Sequence, residues 1–414
     1  MCVVSNWQVY AQHPRCERGQ ARALPRFNTL SCTVRAVITH NNIRDMQSTA
    51  SPAPQAEVQP NVIAEVRGGI GWLTLNRPQA LNALSLEMIR AMSHALLAWQ
   101  HDPEVHAVIL RGEGGKALCA GGDIRFFYRA ATAGDPQLIT FFTEEYRLNH
   151  LIFSYAKPYI ALMDGVVMGG GMGISQGASL RVVTERTKMA MPETNIGLFP
   201  DVGGGWFLAR VPGHVGEYLG VTGQMIEAAD ALSIGLADCH VTTAALASIF
   251  QRLRDGNWGS AEQITACFTE AASAPDDAKA IIALHRETID ACFSQSSVQG
   301  IFADLAGSTD TEWAAQTAAH MAKRSPLMIA VTLELIRRGR HTTLADELRR
   351  ELDMMTHVFA EGDGIEGIRA LAVDKDHAPK WKHASIDAVR DDEVAAFFVS
   401  PWRHEQHPLL GLSD

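Results

Sequence analysis

Between Val62 and Val241 short apolar runs alternate with stretches of helical spacing, and glycine clusters mark most of the junctions. Val62 to Val66 and Ile70 to Leu75 are β-rich runs parted by Gly68 and Gly69, a hairpin signal. Ser85 stands just before apolar residues at Leu86, Ile89, Met92, Leu96 and Leu97, which predicts a capped helix. Ala107 to Leu110, Tyr159 to Met163 and Leu180 to Val183 read as further strands, with helical stretches between them. That alternation implies right-handed βαβ crossovers and an α/β fold. From about Ala244 strand signals fade and helical periodicity dominates. No repeat is visible at the usual solenoid periods. The expected division is a leader and linker over 1–57, a core over 58–243 and a helical region over 244–414.

Apolar residues make up 47% of the chain and charged residues 20%, enough for a sizeable core. The formal charge of −10 argues against nucleic acid as a partner, because phosphate binding needs a concentrated basic surface. It leaves room for a phosphate-bearing small molecule held by a local basic cluster. The most apolar stretch, Tyr159 to Ile174, is interrupted by Asp164 and laced with glycine, so no membrane span is expected. Seven cysteines without a CxxC pair fit a reducing compartment and argue against a zinc site.

The first 57 residues differ. Six arginines, from Arg15 to Arg44, outnumber Glu17 and Asp45, and no continuous apolar stretch of a secretory signal occurs. An organellar transit peptide is one reading. The other is a translated upstream stretch with the functional start at Met46. Gln47 to Pro60 reads as a flexible linker either way.

Four glycine-rich segments carry possible chemistry. Cys119 to Arg125 (CAGGDIR) puts glycine at 121 and 122, where main-chain N–H groups can approach a ligand, although a plain structural turn explains it equally. Met163 to Gly173 (MDGVVMGGGMG) reads as a strand-to-helix junction, with glycines 169 to 171 near the positive end of the helix. Tight packing of that helix on the sheet is the alternative. Met191 to Gly205 (MPETNIGLFPDVGGG) places Glu193 and Asp201 among apolar neighbours, where carboxyl pKa values can be pushed apart. Each acid alone is as readily a cap or a solvated turn residue. Gly173 to Gly177 (GISQG) matches the GxSxG nucleophile elbow formally, but Ser175 falls inside the expected helix instead of directly after a strand.

Taken in order and spacing, these segments resemble the enoyl-CoA hydratase/isomerase, or crotonase, superfamily. NRPQALNAL (Asn76 to Leu84) is similar to its early turn, CAGGDIR to its first oxyanion loop and MDGVVMGGGMG to its second. MPETNIGLFPDVGGGWFL, FFTEEY (Phe141 to Tyr146), Ser325-Pro326 and EGIRALAVDKDHAPKWK (Glu366 to Lys382) resemble the 3-hydroxyisobutyryl-CoA hydrolase subgroup. The resemblance runs from about Val62 to Trp381. It implies a spiral of ββα turns with a helical C-terminal region closing an acyl pocket. It implies an oxyanion hole from the N–H groups of Gly122 and Gly170, catalytic roles for Glu193 and Asp201, and a substrate-binding role for Glu145, with Glu144 as its rival.

Hydratases of the superfamily carry one glutamate at the place of Gly173 and a second at that of Glu193; Asp201 replaces their usual glycine. The resemblance therefore implies thioester hydrolysis of 3-hydroxyisobutyryl-CoA by a Glu193/Asp201 pair, as in valine breakdown. Neither metal nor redox cofactor is implied, CoA being part of the substrate. An acyl-CoA is the expected partner, with neither nucleic acid nor membrane, and a homo-oligomer is possible. A cytoplasmic location is expected, or the mitochondrial matrix if residues 1–45 are a transit peptide. The alternatives are a hydratase or isomerase, a non-catalytic CoA-binding protein and, least of all, a serine esterase.

Overall fold

The computed structural model describes residues 59–414 apart from Gly362. The leader and linker expected over 1–57 lie outside the described residues. Strands β1 (Val62–Arg67) and β2 (Ile70–Leu75) pair antiparallel, Val62 facing Leu75. Gly68 and Gly69 turn the chain between them with φ of +63° and +82°, the conformation a two-residue hairpin loop demands. Helix α1 (Leu86–Gln100) follows, and the Ser85 hydroxyl accepts from the Met88 N–H at its start.

Three ββα turns come next. Each begins with a strand of one sheet, namely β3 (Ala107–Gly112), β5 (Tyr159–Met163) or β7 (Leu180–Val183). Each then contributes a three-residue strand to a second sheet, namely β4 (Ala117–Cys119), β6 (Val166–Met168) or β8 (Lys188–Ala190). The large sheet runs β1-β2-β3-β5-β7-β9, parallel from β2 onward and closed by β9 (Cys239–His240); the small one runs β4-β6-β8, all parallel. Helices α2 (Ile124–Ala133) and α3 (Gln137–Phe153) follow β4, and α4 (Gly170–Gln176) follows β6. The second glycine motif does join a strand to a helix, but the strand is β6, interposed between β5 and α4 and running into the helix through Gly169. Strands of three residues are too short to show a period-two pattern.

The large sheet is buried on both faces, and its side chains divide by parity. Leu73, Leu75, Val108, Leu110, Ala161 and Met163 face the main core with α1 and α3. Ile70, Trp72, Ile109, Ile160, Leu162 and Val182 face a second core. The helices Thr243–Asp255 and Ala261–Thr269 cover that second core through Leu246, Ile249, Leu253, Ile264 and Phe268. Burial on both faces is why these strands read as continuous apolar runs. After His240 no further strand occurs among the described residues, and residues 60–414 form one compact unit. No helix among the described residues is long and apolar enough to cross a membrane.

Candidate active site

The NRPQALNAL turn acts as a jig for the CAGGDIR loop, which the sequence resemblance makes the first oxyanion loop. Leu81 and Asn82 adopt φ of +50° and +57°, and the Asn82 side chain is fully buried. Its oxygen accepts from the Arg77 N–H at 2.9 Å, and its amide donates to the carbonyls of Glu113 and Ala117 at 3.1 and 3.0 Å. Arg77 also donates to the Asp123 carboxylate at 2.8 Å, and Asp123 caps α2. The Leu84 N–H donates to the Gly121 carbonyl at 2.8 Å, and the Asp123 N–H to the Leu84 carbonyl at 2.9 Å. This parallel bridge skips Gly122, so the Gly122 N–H points away from Leu84. Gly170 opens α4, where a first-turn N–H has no intrahelical acceptor. Neither N–H donates to a protein acceptor among the described residues. Glycine is required at 121, where φ is +104°, and at 122, where an added Cβ would lie 2.5 Å from the Phe127 ring.

Both loops open onto a cleft of about 210 Å3, and Glu145, Glu193 and Asp201 line it with Gly122 and Gly170. All five residues singled out from the sequence therefore share one cavity. Met355 and Leu371 close it from the C-terminal region. The two neighbouring glutamates differ in position. Glu144 forms a surface pair with Arg90 at 2.7 Å, whereas Glu145 is buried. The Glu145 and Glu193 carboxyls lie over the second loop: a Cβ on Gly170 would sit 2.6 Å from Glu145 Oε1, and one on Gly169 2.6 Å from Glu193 Oε1. The unadorned backbone of the glycine run is what lets the acids reach the oxyanion loop.

Three acids in one dry cavity cannot all ionise readily. Burial pushes Glu193 well above the usual carboxylate range, and the Asp201 charge adds to it. Burial, then the Asp201 and Glu193 charges, do the same to Glu145. Asp201 is pushed up to about 6 by burial, against the pull of a hydrogen bond from the Tyr146 hydroxyl at 2.8 Å. Glu145 Oε1 and Glu193 Oε2 are buried without a protein partner. Tyr146 was not assigned a role from the sequence, although it ends the FFTEEY segment. It follows Glu145 directly on α3, and only the tertiary fold brings it across 55 residues to Asp201.

Residues 70–398 match the model of the enoyl-CoA hydratase/isomerase family. The chain belongs to that family. It is 40% identical over 343 residues to a mitochondrial 3-hydroxyisobutyryl-CoA hydrolase of Rattus norvegicus, covering 82% of this chain and 89% of that one. The corresponding Homo sapiens hydrolase is 36% identical over 387 residues, 93% of this chain and 97% of its own. Among solved structures, a carnitinyl-CoA dehydratase of Mycobacterium thermoresistibile superposes with a TM-score of 0.77 at 39% identity, over 82% of this chain and 97% of that one. An enoyl-CoA hydratase of Rhodobacter sphaeroides 2.4.1 gives 0.75 at 36% identity, over 83% and 98%. The architecture is thus the crotonase fold that the sequence resemblance implied.

Within this family the place of Gly173 separates chemistries, and here the packing excludes a side chain. A Cβ on Gly173 would lie 2.5 Å from Val202 Cβ and 2.9 Å from Asn149 Nδ2. Val202 is held there by a φ of +56°, rare for a branched residue. Ser175, the formal nucleophile-elbow serine, is fully buried inside α4, and its hydroxyl donates to the carbonyls of Gly171 and Met172 at 2.8 and 3.2 Å. Ser175→Ala should keep kcat within a few-fold of the parent. A loss of about a thousandfold, the scale of removing a covalent nucleophile, would restore the serine reading.

The crowded acids also make a stability statement. The Asp201 carboxyl, at about 6 in the fold and about 3.9 in an unfolded chain, binds more protons folded than unfolded between those values. Its contribution to stability is therefore fully present below about pH 4, is lost as pH rises to about 6, and stays lost above. Asp201→Asn removes the charge and keeps an acceptor for Tyr146. At pH 7.5 it should raise the melting temperature by about 2–4 °C while lowering turnover, the usual exchange at a strained site. Calorimetry across pH 4.5 to 8 checks this; an unchanged or lower melting temperature at pH 7.5 would contradict it.

Proposed function

We propose that the protein hydrolyses 3-hydroxyisobutyryl-CoA to 3-hydroxyisobutyrate and free CoA, the activity for which the Rattus norvegicus and Homo sapiens relatives are named. The observation that carries the reading is that Glu193 and Asp201 share one cleft with two free oxyanion N–H groups, while position 173 has no room for a second hydratase acid. The thioester carbonyl oxygen lies between the Gly122 and Gly170 N–H groups, which bind it more tightly as it becomes an oxyanion. Each such donor is worth a factor of about 100–1000 in rate.

Two routes use Glu193. As a nucleophile its carboxylate attacks the carbonyl carbon, the C–S bond breaks, CoA leaves as the thiolate, and water cleaves the resulting mixed anhydride. As a general base it takes a proton from water, which attacks the same carbon. Its raised pKa suits either, because a basic carboxylate is both a better nucleophile and a better base. Asp201, oriented by Tyr146, holds the attacking water or the substrate hydroxyl, and Glu145 accepts from the acyl chain's hydroxyl. The solved neighbours titled as a dehydratase and a hydratase favour addition or removal of water as the second reading. That chemistry needs proton delivery at the α-carbon, and the packing at Gly173 argues against it.

Both relatives are named as mitochondrial. Their names support the transit-peptide reading of residues 1–45 over the cytoplasmic one. Thiol release from a panel of acyl-CoAs tests the substrate. The β-hydroxy thioesters 3-hydroxyisobutyryl-CoA and 3-hydroxypropionyl-CoA should be cleaved at least tenfold better, in kcat/KM, than isobutyryl-CoA, which lacks the hydroxyl. Equal cleavage of all three would remove the assigned roles of Glu145 and Asp201 in substrate recognition.

A further inference from the structure

The loop that carries Asp201 closes one turn of its own, the Gly204 N–H donating to the Asp201 carbonyl at 2.8 Å, and is held besides by the helix Leu344–Glu361, about 150 residues away in sequence. Glu351 on that helix is fully buried, and its two carboxyl oxygens accept the N–H groups of Gly203 at 2.7 Å and Gly205 at 3.1 Å. Those two donors flank the start of the short helix Gly204–Leu208, directly after Asp201 and Val202. Val202 and Gly203 have consecutive positive φ of +56° and +87°. A backbone in that conformation persists only where its surroundings over-determine it. One turn earlier Glu347 packs against the same loop so closely that a Cβ on Gly205 would lie 2.1 Å from its Oε1. Glu347 is in turn paired with Arg350 and accepts from Thr342 at 2.9 Å. One turn later Met355 lines the acyl cleft. Positions 347, 351 and 355 thus make one helix face that reaches from the loop's backbone to the substrate cavity.

The geometry points to Glu351 as a positioning residue for Asp201: it fixes the strained Val202–Gly205 backbone and so aims the Asp201 carboxyl into the cleft. The inference rests on the hydrolase reading and extends it. Two features set it apart from a plain helix cap. Both oxygens are committed to backbone donors of one loop, which fixes orientation as well as satisfying polar groups. And Glu351 is linked electrostatically to the site itself: burial and then the Glu347 and Asp201 charges push its carboxyl up, and it in turn contributes to raising Tyr146. The DVGGG run then has a physical reason: Gly203 supplies the left-handed turn, and Gly205 lets two glutamates of a distant helix dock on bare backbone.

The test uses the full chain and compares Glu351→Ala with Glu351→Gln. In Glu351→Ala both N–H groups lose their acceptor and the Asp201 loop relaxes. The kcat for 3-hydroxyisobutyryl-CoA, per folded enzyme, should fall about a hundredfold while KM stays within threefold, because the two glycine loops and Glu145, on the opposite walls of the cleft, are left in place. Glu351→Gln keeps one carbonyl acceptor and should recover about tenfold of that loss. A residue that served only stability would lower the melting temperature and the yield but leave kcat per folded molecule and the KM-to-kcat split unchanged. If Glu351→Ala does not fold, Glu351→Gln decides alone: a tenfold lower kcat at parental KM supports the assignment. Parental kcat in either folded variant, or a loss confined to KM, overturns it. A parent enzyme that releases no thiol would instead strike at the hydrolase reading and leave the Glu351 assignment to be judged on the activity found.

Discussion

Glu193→Gln should abolish thioester hydrolysis, lowering kcat by at least about a thousandfold, while the dissociation constant for the acyl-CoA changes by less than threefold. The substitution is isosteric, so it leaves no cavity. It removes the carboxyl that the short turn Glu193–Ile196 places over Gly169 of the second glycine loop. An amide can neither form the mixed anhydride nor take a proton from water. A thousandfold is about 4 kcal/mol of transition-state stabilisation, which the two oxyanion donors alone cannot restore. Single-turnover thiol release and calorimetric titration of acyl-CoA separate chemistry from binding. Thiol release at close to the parental rate would remove Glu193 from the mechanism.

Gly173→Glu is the second large effect. By sequence logic alone it restores the missing hydratase acid, and one would expect hydration to appear. The structure says otherwise. The first atom of the new side chain would overlap Val202 and press on the Asn149 amide, before any carboxyl is placed. Overpacking of this kind costs about 1–3 kcal/mol. Relief must come from Val202, whose displacement moves Asp201 beside it, and a shift of about 1 Å in a catalytic group can cost a hundredfold in rate. A fourth carboxyl in the cleft adds desolvation and repulsion. Hydrolysis should fall about a hundredfold or more, the melting temperature should drop by several degrees, and crotonyl-CoA hydration should stay at background. Gly173→Ala should lie between parent and Gly173→Glu in both respects. Efficient hydration by Gly173→Glu would mean that the cleft can accommodate the hydratase geometry after all.

Much of this site was legible before any coordinates. Gly122, Gly170, Glu145, Glu193 and Asp201 lie in segments whose order and spacing resemble the crotonase motifs, and the fold brings all five to one cleft. Strands β2, β3, β5 and β7 were legible because they are buried on both faces and read as mostly apolar runs. What escaped shares a physical cause. Strands β4, β6 and β8 span three residues each, shorter than any periodicity can register. Tyr146 and Glu351 look like ordinary helix residues, and their importance lies in partners 55 and about 150 residues away. Asn82 was visible in the NRPQALNAL turn, but two of its three side-chain hydrogen bonds, to the Glu113 and Ala117 carbonyls ahead of the CAGGDIR loop, are made by tertiary closure, which a local pattern does not encode.

The central claim is that this cleft cleaves a thioester and does not hydrate a double bond. Water addition requires one group to deprotonate water and another to deliver a proton to the α-carbon, and with glycine locked at 173 only Glu193 of that pair remains. Hydrolysis needs no proton at the α-carbon, so Glu193 with Asp201 suffices. The most direct measurement follows free thiol from 3-hydroxyisobutyryl-CoA and loss of enoyl absorbance from crotonyl-CoA in parallel, on the same enzyme preparation. The expected outcome is a kcat/KM for thiol release at least about a thousandfold above that for hydration; hydration equal to or faster than thiol release would contradict the hydrolase assignment while leaving membership of the family intact.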